Sequence, residues 1–377
     1  MRIGLDGMPL AQLKTGVGAY TFELARALAE RSPQDDFELV SPRPFEPTAT
    51  SENTPANLSL VYSKPNALQR RWWSFGVPSY IRRASLTLFH GTNFEVPLRG
   101  NCPSVVTIHD LSLLLHSSTH EARAVLRGRL RLPRMARKAT VIITVSESVR
   151  REVCEHLGVA PEKVFAIPLA PQTSFVPRPP EDTEDTIETL KRLGVKEQFL
   201  LFTGTIEPRK NLTTLLSALE EVLRATEFRP QLVVAGKVGW KSQDVVAQIE
   251  RLIPHVKLLG YTASADLRAL YSSCRAFVYP SIYEGFGLPP LEAMACGAPV
   301  IASAVPSVTP GAARVIPATD VQALTRSIVE LLSDAGSRQT LSTAGLKHAA
   351  QFSWAKTAML TREVYQEALA RSALRSE

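Results

Sequence analysis

Two carboxylates, Glu284 and Glu292, stand eight positions apart in the segment EGFGLPPLE. The apolar run before them, residues 274–281, is rich in aromatic and β-branched residues and reads as a buried strand. Pro289 and Pro290 suit the first turn of a helix that continues through Leu291, Met294 and Ala295. Glu284 is therefore expected in the loop at a strand's carboxyl end, where open parallel sheets bind ligands, and Glu292 on the helix lining the same wall. A carboxylate accepts two hydrogen bonds at once, which suits the vicinal diol of a ribose or a hexose. Two arbitrary glutamates would by default be a solvated loop acid and a plain helix residue. The glycines and prolines around this pair set it apart.

A second constellation lies in residues 204–211, GTIEPRKN, after a strand-like run at 199–203 and before the helical period of Leu212, Leu215, Leu216 and Leu219. Asn211 is the expected N-cap, so Arg209 and Lys210 stand just before a helix N-terminus, where two cations and free N–H groups suit a pyrophosphate. By spacing alone they could equally be a surface pair. Thr15-Gly16-Val17-Gly18 opens a helix after the first strand and lets backbone approach a phosphate or sugar. It is not a dinucleotide-binding fingerprint, because Thr21 stands where the third glycine belongs. His109 closes a strand at its carboxyl end, either as a structural histidine or as a partner for a sugar hydroxyl at a reacting carbon. Ser146 starts SESVRREV and is a good N-cap, with an acceptor phosphate as its other reading. The chain has no Asp-x-Asp, the usual cue for a metal bridging a nucleotide diphosphate, and its four cysteines show no metal-ligand spacing. No metal or cofactor is expected, and the cysteines read as reduced core residues.

The elements that must position these groups alternate along the whole chain. Strand-like runs fall near 3–6, 37–40, 58–62, 86–90, 105–109, 141–145 and 164–168, then 199–203, 232–235, 256–259, 276–279 and 300–302, with helical segments between most of them. This is the mark of a doubly wound α/β architecture, and 377 residues suggest two domains. The expected division is residues 1–175, a proline-rich and acidic linker at 176–196, residues 197–352, and a final amphipathic helix in 353–377. No apolar stretch reaches a membrane span and the chain leads straight into a strand without a signal peptide, so a cytoplasmic protein is expected.

The net charge of +7 is uneven: residues 1–180 hold 22 Lys and Arg against 15 Asp and Glu, whereas residues 181–377 hold 21 of each. Something acidic is expected to approach the first half. Much of the excess lies in 121–138, where Arg127, Arg131 and Arg134 alternate with Leu126, Leu130 and Met135 as in a basic amphipathic helix, broken at Pro133. Three readings stay open for it: a solvated face, a site for an acceptor phosphate, or a face docked on an anionic membrane, which would place the protein at the inner face of the cell membrane. Arg70, Arg71, Trp72 and Trp73 could add an interfacial anchor.

With these motifs in place, the chain resembles a retaining glycosyltransferase of the GT-B fold, of family 4, a family with many bacterial mannosyltransferases. The resemblance spans essentially the whole length. It rests on EGFGLPPLEAMACGAPVIAS and GTIEPRKN, and further on TGVGAYTFELARAL, FHGTNFEVP, SVVTIHDLS, ITVSES and FSWAKTAMLTREVYQEAL. It implies two Rossmann-like, doubly wound parallel-sheet domains facing a central cleft, the first for the acceptor and the second for the donor, with the last helix crossing back to the first. By that resemblance Glu292 holds the donor ribose and Glu284 contacts the transferred sugar. Gly285, Phe286, Gly287 and Leu288 present backbone to hexose and diphosphate, Arg209 and Lys210 bind the diphosphate, and Gly16 lies close to it. Gly204 and Tyr261 belong to the same donor site, and His109 touches the hexose. Two positions depart from the family pattern: Thr205 replaces a frequent arginine, and Pro306-Ser307-Val308-Thr309-Pro310 replaces a Pro-Glu-Val-x-Gly segment. The implied reaction moves a hexose, with mannose from GDP-mannose as the first candidate, from a nucleotide sugar to a glycan or lipid-linked acceptor in surface polysaccharide or glycoconjugate synthesis. No nucleic acid is expected as a partner. A sugar-nucleotide epimerase of the same fold, or a non-enzymatic basic adaptor for membrane or nucleic acid, is the alternative.

Overall fold

The structure is a computed structural model that describes residues 1–11, 16–46, 54–179 and 183–374. Thr15 and, within the expected linker, residues 180–182 lie outside the described residues. The chain divides into two compact units, the first made of Met1–Leu114, Val125–Leu169 and Ser353–Glu377, the second of Leu115–Ala124 and Ala170–Phe352.

Seven parallel strands form the sheet of the first unit: β1 (Arg2–Asp6), β2 (Asp36–Ser41), β3 (Leu58–Tyr62), β4 (Leu88–Gly91), β5 (Ser104–Ile108), β6 (Val141–Thr144) and β7 (Val164–Ala166), in the order β3-β2-β1-β4-β5-β6-β7. Residues of β4, β5 and β6 are buried throughout. Strands covered on both faces carry continuous apolar runs, which is why the sequence pattern locates them. β5 ends at Ile108, so His109 stands just beyond the strand. The helix Gly16–Arg31 is buried along most of its length and packs on the helix Trp354–Leu374. Between them the rings of Tyr20 and Trp354 lie 6.1 Å apart. Arg362 adds a hydrogen bond to Ser32 at 2.6 Å and an ion pair with Asp35.

Two expectations are corrected in this unit. Trp72 is buried against Tyr80, Ile81 and Phe89, and Trp73 packs edge-on to Phe89, so the tryptophan pair belongs to the core and is no interfacial anchor. The helix Ala122–Lys138 runs unbroken through Pro133. Its inner side buries Gly128, Leu132, Met135 and Ala136, and this packing offsets the backbone hydrogen bond that proline removes.

Six parallel strands form the second sheet: β8 (Phe199–Thr203), β9 (Gln231–Ala235), β10 (Val256–Gly260), β11 (Ala276–Tyr279), β12 (Val300–Ala302) and β13 (Arg314–Val315), in the order β10-β9-β8-β11-β12-β13. The two-residue β13 is too short to leave a pattern in the sequence. Strand order reverses between β8 and β11, and a crevice opens at the carboxyl ends of strands at such a switch point. The loops that follow these two strands carry residues 204–211 and 280–287. Within the stretch read as a linker, Thr183–Leu193 is a helix.

Candidate functional site

β8 ends at Thr203 and the chain turns at Gly204, whose φ of 129° is open to glycine and strained for other residues. Pro208–Lys210 then form one 3-10 turn before the helix Leu212–Ala225. Asn211 occupies the N-cap position but does not cap with its side chain. Its backbone is left-handed at φ 54°, whereas a capping residue is extended. Its Nδ2 instead donates to the carbonyls of Pro280, at 3.1 Å, and Ala318, at 2.7 Å. Asn211 thus ties the basic turn to the loop after β11, and Arg209 and Lys210 face that loop.

What they meet there is Glu284. Lys210 Nζ lies 2.7 Å from Glu284 Oε1, and Arg209 Nη1 lies 3.0 Å from Glu284 Oε2. The same guanidinium donates to the carbonyl of Tyr283 at 2.7 Å and, through Nη2, to Glu207 Oε1 at 2.7 Å. Glu284 Oε1 also accepts from Ser281 Oγ at 2.6 Å and from the Tyr279 hydroxyl at 3.0 Å, while Lys210 Nζ donates to that hydroxyl at 2.5 Å. Burial alone would raise the Glu284 carboxyl, but Lys210 and Arg209 outweigh it and hold it at about 2. Burial pushes Glu207 above the usual carboxylate range against the pull of the same two cations. It also pushes the Tyr279 phenol up, with Glu284 adding to the effect, so the hydroxyl stays protonated. Buried ion pairs stabilise a fold weakly, because desolvation offsets their attraction. Arg209, Lys210, Glu207 and Glu284, gathered at a strand switch point, make this the candidate functional site.

The glycine loop beyond Glu284 is built around Gly287, at φ 93°. A Cβ there would come within 2.9 Å of Ser307 Oγ and Val305 Cγ2. Ser307 donates its hydroxyl to the Gly287 carbonyl at 2.6 Å and its N–H to the Phe286 carbonyl at 2.9 Å, and its own carbonyl lies 2.9 Å from His348 Nε2. This gives the unusual 306–310 segment a role: it pins the loop Gly285-Phe286-Gly287 from behind. Leu288 begins the helix Leu288–Ala295, on which Glu292 is buried. Gln172 Nε2 lies 3.4 Å from Glu292 Oε1, and Gln172 Oε1 accepts from Ser264 at 3.3 Å. After burial itself, the charge of Glu292 is the largest cause that raises the phenol of Tyr271, whose hydroxyl is 3.0 Å from Thr203 Oγ1. Tyr261 follows β10 exposed, with Lys237 Nζ 5.4 Å over its ring.

The loop Leu115–Ala124 packs as part of this second unit. Trp240 Nε1 donates to the Thr119 carbonyl at 2.7 Å, and His116 lies over Tyr283 with ring centres 4.7 Å apart. Sequence reading missed His116, Tyr279, Ser281, Glu207 and Gln172. Tyr279 was hidden by its apolar strand, and Gln172 by its proline-rich surroundings. The only available signal was a polar group at a strand's carboxyl end.

The other expected residues lie in the first unit. Gly16 is exposed at the start of its helix, and space around it is open. His109 donates Nε2–H to the Thr92 carbonyl at 2.8 Å and meets Tyr20 edge-on at 4.9 Å. Burial lowers its basicity, so Nδ1 carries a lone pair able to accept a hydroxyl proton. Ser146 caps the helix Glu147–Leu157 through Val149 N at 3.3 Å. Arg131 pairs with Glu95 at 2.6 Å, while Arg127 and Arg134 are exposed.

Comparison with known proteins agrees along both halves of the chain. The model for Glycosyltransferase Family 4 matches residues 14–173, and that for Glycosyl transferases group 1 matches 185–348. The O-antigen chain mannosyltransferase B of Escherichia coli is 30% identical over 97% of this chain and 100% of its own. The serotype-specific mannosyltransferase WbdA of the same species is 32% identical over 62% of this chain, which spans 29% of that longer protein. Among solved structures, sucrose-phosphate synthase from Thermosynechococcus elongatus superposes with a TM-score of 0.77 at 21% identity, over 98% of this chain and 99% of that one. Anabaena HepE in complex with UDP-glucose gives 0.75 at 20% identity, over 97% and 100%. With a 30% identical relative matched from end to end and a GT-B architecture in both units, the chain belongs to the family 4 glycosyltransferases.

Proposed function

We propose that this glycosyltransferase moves mannose from GDP-mannose to a hydroxyl of a glycan or lipid-linked acceptor, with retention of anomeric configuration. The observation that carries the reading is the convergence of Arg209, Lys210 and Glu284 at the carboxyl ends of β8 and β11. Cations are wanted where a diphosphate leaves and a carboxylate where sugar hydroxyls are gripped. The choice of mannose is supported by the names of three relatives: the two above and an MMP alpha-(1->4)-mannosyltransferase of Mycolicibacterium hassiacum, 29% identical over 64% of this chain and 57% of its own.

In this reading Arg209 and Lys210 neutralise the charge that develops on the leaving diphosphate, the role a metal ion would otherwise fill. Preorganised donors in a water-poor site supply most of the rate. Glu292 takes the ribose diol, and the backbone of Gly285 and Gly287 faces hexose and phosphate. A thermal-shift panel of GDP, UDP, ADP and dTDP with their common sugars, with and without EDTA, tests it, because a ligand of the native state raises apparent stability. A selective, EDTA-insensitive shift with GDP and GDP-mannose is expected. A shift confined to another base would replace the donor, and a shift abolished by EDTA would replace the metal-free mechanism.

A second element of the reading concerns location. Leu126 and Leu130 are 63% and 69% exposed one turn apart on the helix Ala122–Lys138, beside exposed Arg127, Arg134 and Arg137 and with no acidic residue in the helix. Apolar tips flanked by cations fit an anionic lipid surface, where a lipid-linked acceptor would be met. Among the described residues no helix is long and apolar enough to cross a membrane, so such attachment would be peripheral.

A further inference from the structure

The charges around Lys210 balance two against two: Arg209 and Lys210 face Glu207 and Glu284. Both oxygens of Glu284 are engaged by the two cations assigned to the diphosphate. A diphosphate entering this cluster brings at least two further negative charges. It gains Lys210 and the Nη1 edge of Arg209 only where Glu284 gives them up. Glu284 is suited to leave. It stands in the loop between β11 and the helix Leu288–Ala295, whereas Glu207 holds the other edge of Arg209 through Nη2 and stays. The Tyr279 hydroxyl touches both Lys210 Nζ and Glu284 Oε1, and the Lys210 ammonium sits 5.1 Å from the centre of the same ring. Lys210 therefore keeps a partner when the carboxylate departs.

We infer that Glu284 is the resident counter-anion of the Arg209–Lys210 site, displaced by the donor's diphosphate, and that Tyr279 is the positioning residue that holds Lys210 through the exchange. The inference rests on the diphosphate reading proposed above and deepens it. Before the donor arrives, Glu284 stands where phosphate oxygens will be and balances the charge of two buried cations, Arg209 and Lys210. Once displaced, it is released beside the diphosphate, where the hexose hydroxyls lie. Contact with the sugar is thereby made conditional on arrival of the diphosphate, and a free hexose meets a carboxylate already occupied.

The test is binding of inorganic pyrophosphate, and of GDP and UDP, to the full chain by calorimetry without metal. Glu284→Gln keeps the shape and removes the competing charge, so at least fivefold tighter pyrophosphate binding is expected, with transfer activity lost. Lys210→Ala is expected to weaken binding at least tenfold. Pyrophosphate binding that is lost in Lys210→Ala yet equal or weaker in Glu284→Gln overturns the exchange and leaves the diphosphate reading standing. Unchanged binding in Lys210→Ala overturns that reading and the exchange with it. A crystal structure of the unaltered chain with pyrophosphate decides the matter independently of how the variants fold. Lys210 Nζ should have left Glu284 for a phosphate oxygen while keeping the Tyr279 hydroxyl, and a phosphate bound with the Lys210–Glu284 pair intact overturns the inference.

Discussion

The hydroxyl of Tyr365 and Nδ1 of His90, 275 positions apart in sequence, lie 2.7 Å apart in the core of the first unit. His90 Nε2 continues the chain to Thr107 Oγ1 at 2.8 Å, and Thr107 to the hydroxyl of Tyr20 at 2.8 Å. Burial drives His90 down to about 3, so the ring is neutral, with one nitrogen donating and the other accepting. The final helix is thus docked by polar matching as well as by apolar area. Tyr365→Phe strands a buried ring nitrogen and is expected to cost ~1–3 kcal/mol. A lower melting temperature with unaltered nucleotide affinity is the predicted result, and an unaltered melting temperature would remove the network from the account of stability.

Asp6 gives a pH signature of opposite sign. Burial raises its carboxyl to about 7, against the pull of the Met8 N–H. The folded state therefore holds a proton that the unfolded chain has released, between the ordinary value of 3.8 and about 7. Its favourable contribution is complete below that window and is lost as pH rises through about 7. Asp6→Asn keeps the oxygen that accepts from Met8 and removes the titration. Relative to the unaltered chain, the variant should gain stability between pH 4 and pH 8, on the order of a few kcal/mol at most. Melting curves at the two ends of that range that differ by the same amount at both would sink the assignment.

Glu292 is buried on a helix with Gln172 beside it. If its carboxylate takes the ribose diol, Glu292→Ala removes two hydrogen bonds to a charged acceptor. A loss of ~1.5–3 kcal/mol per charged hydrogen bond places the expected weakening of nucleoside diphosphate binding at tenfold or more. Calorimetry with the nucleotide that gives the largest thermal shift reads this directly. Equal affinity in the variant would move the ribose site elsewhere.

The exposed stripe of the helix Ala122–Lys138 makes a separate prediction. Arg127, Arg134 and Arg137 changed together to Gln should cut binding to vesicles containing phosphatidylglycerol about a hundredfold at low salt, at ~1 kcal/mol per cation near such a surface. Leu126 and Leu130 changed to Ser should weaken it with less dependence on salt. Binding that survives both changes would leave the stripe a solvated face.

Much of the architecture was legible in the chain itself. Strands buried on both faces, such as Ser104–Ile108 and Phe199–Thr203, write unbroken apolar runs, and the helices between them write their own period, so a doubly wound α/β architecture in both halves could be read. Local backbone chemistry located the turns in the same way: glycine at 204 and 287 takes a left-handed conformation, and proline after Leu288 starts a helix. Residue type and place in the pattern nominated Glu284, Glu292, Arg209 and Lys210 as candidates, and the resemblance of their motifs to the family supplied the expected roles.

Tertiary structure decided what those groups touch. No local rule says that Asn211 staples its turn to Pro280 and Ala318 instead of capping a helix, or that Lys210 points at Glu284 and Tyr279. Partners 69 and 74 positions away exist only once β8 and β11 are neighbours in the sheet. The same holds for Trp72 and Trp73, whose basic flank suggests a surface until Phe89 and Tyr80 close over them. Secondary structure follows from periodicity, which is local. Burial of charge and pairing of ionisable groups follow from which strands lie side by side, and that is a property of the whole sheet.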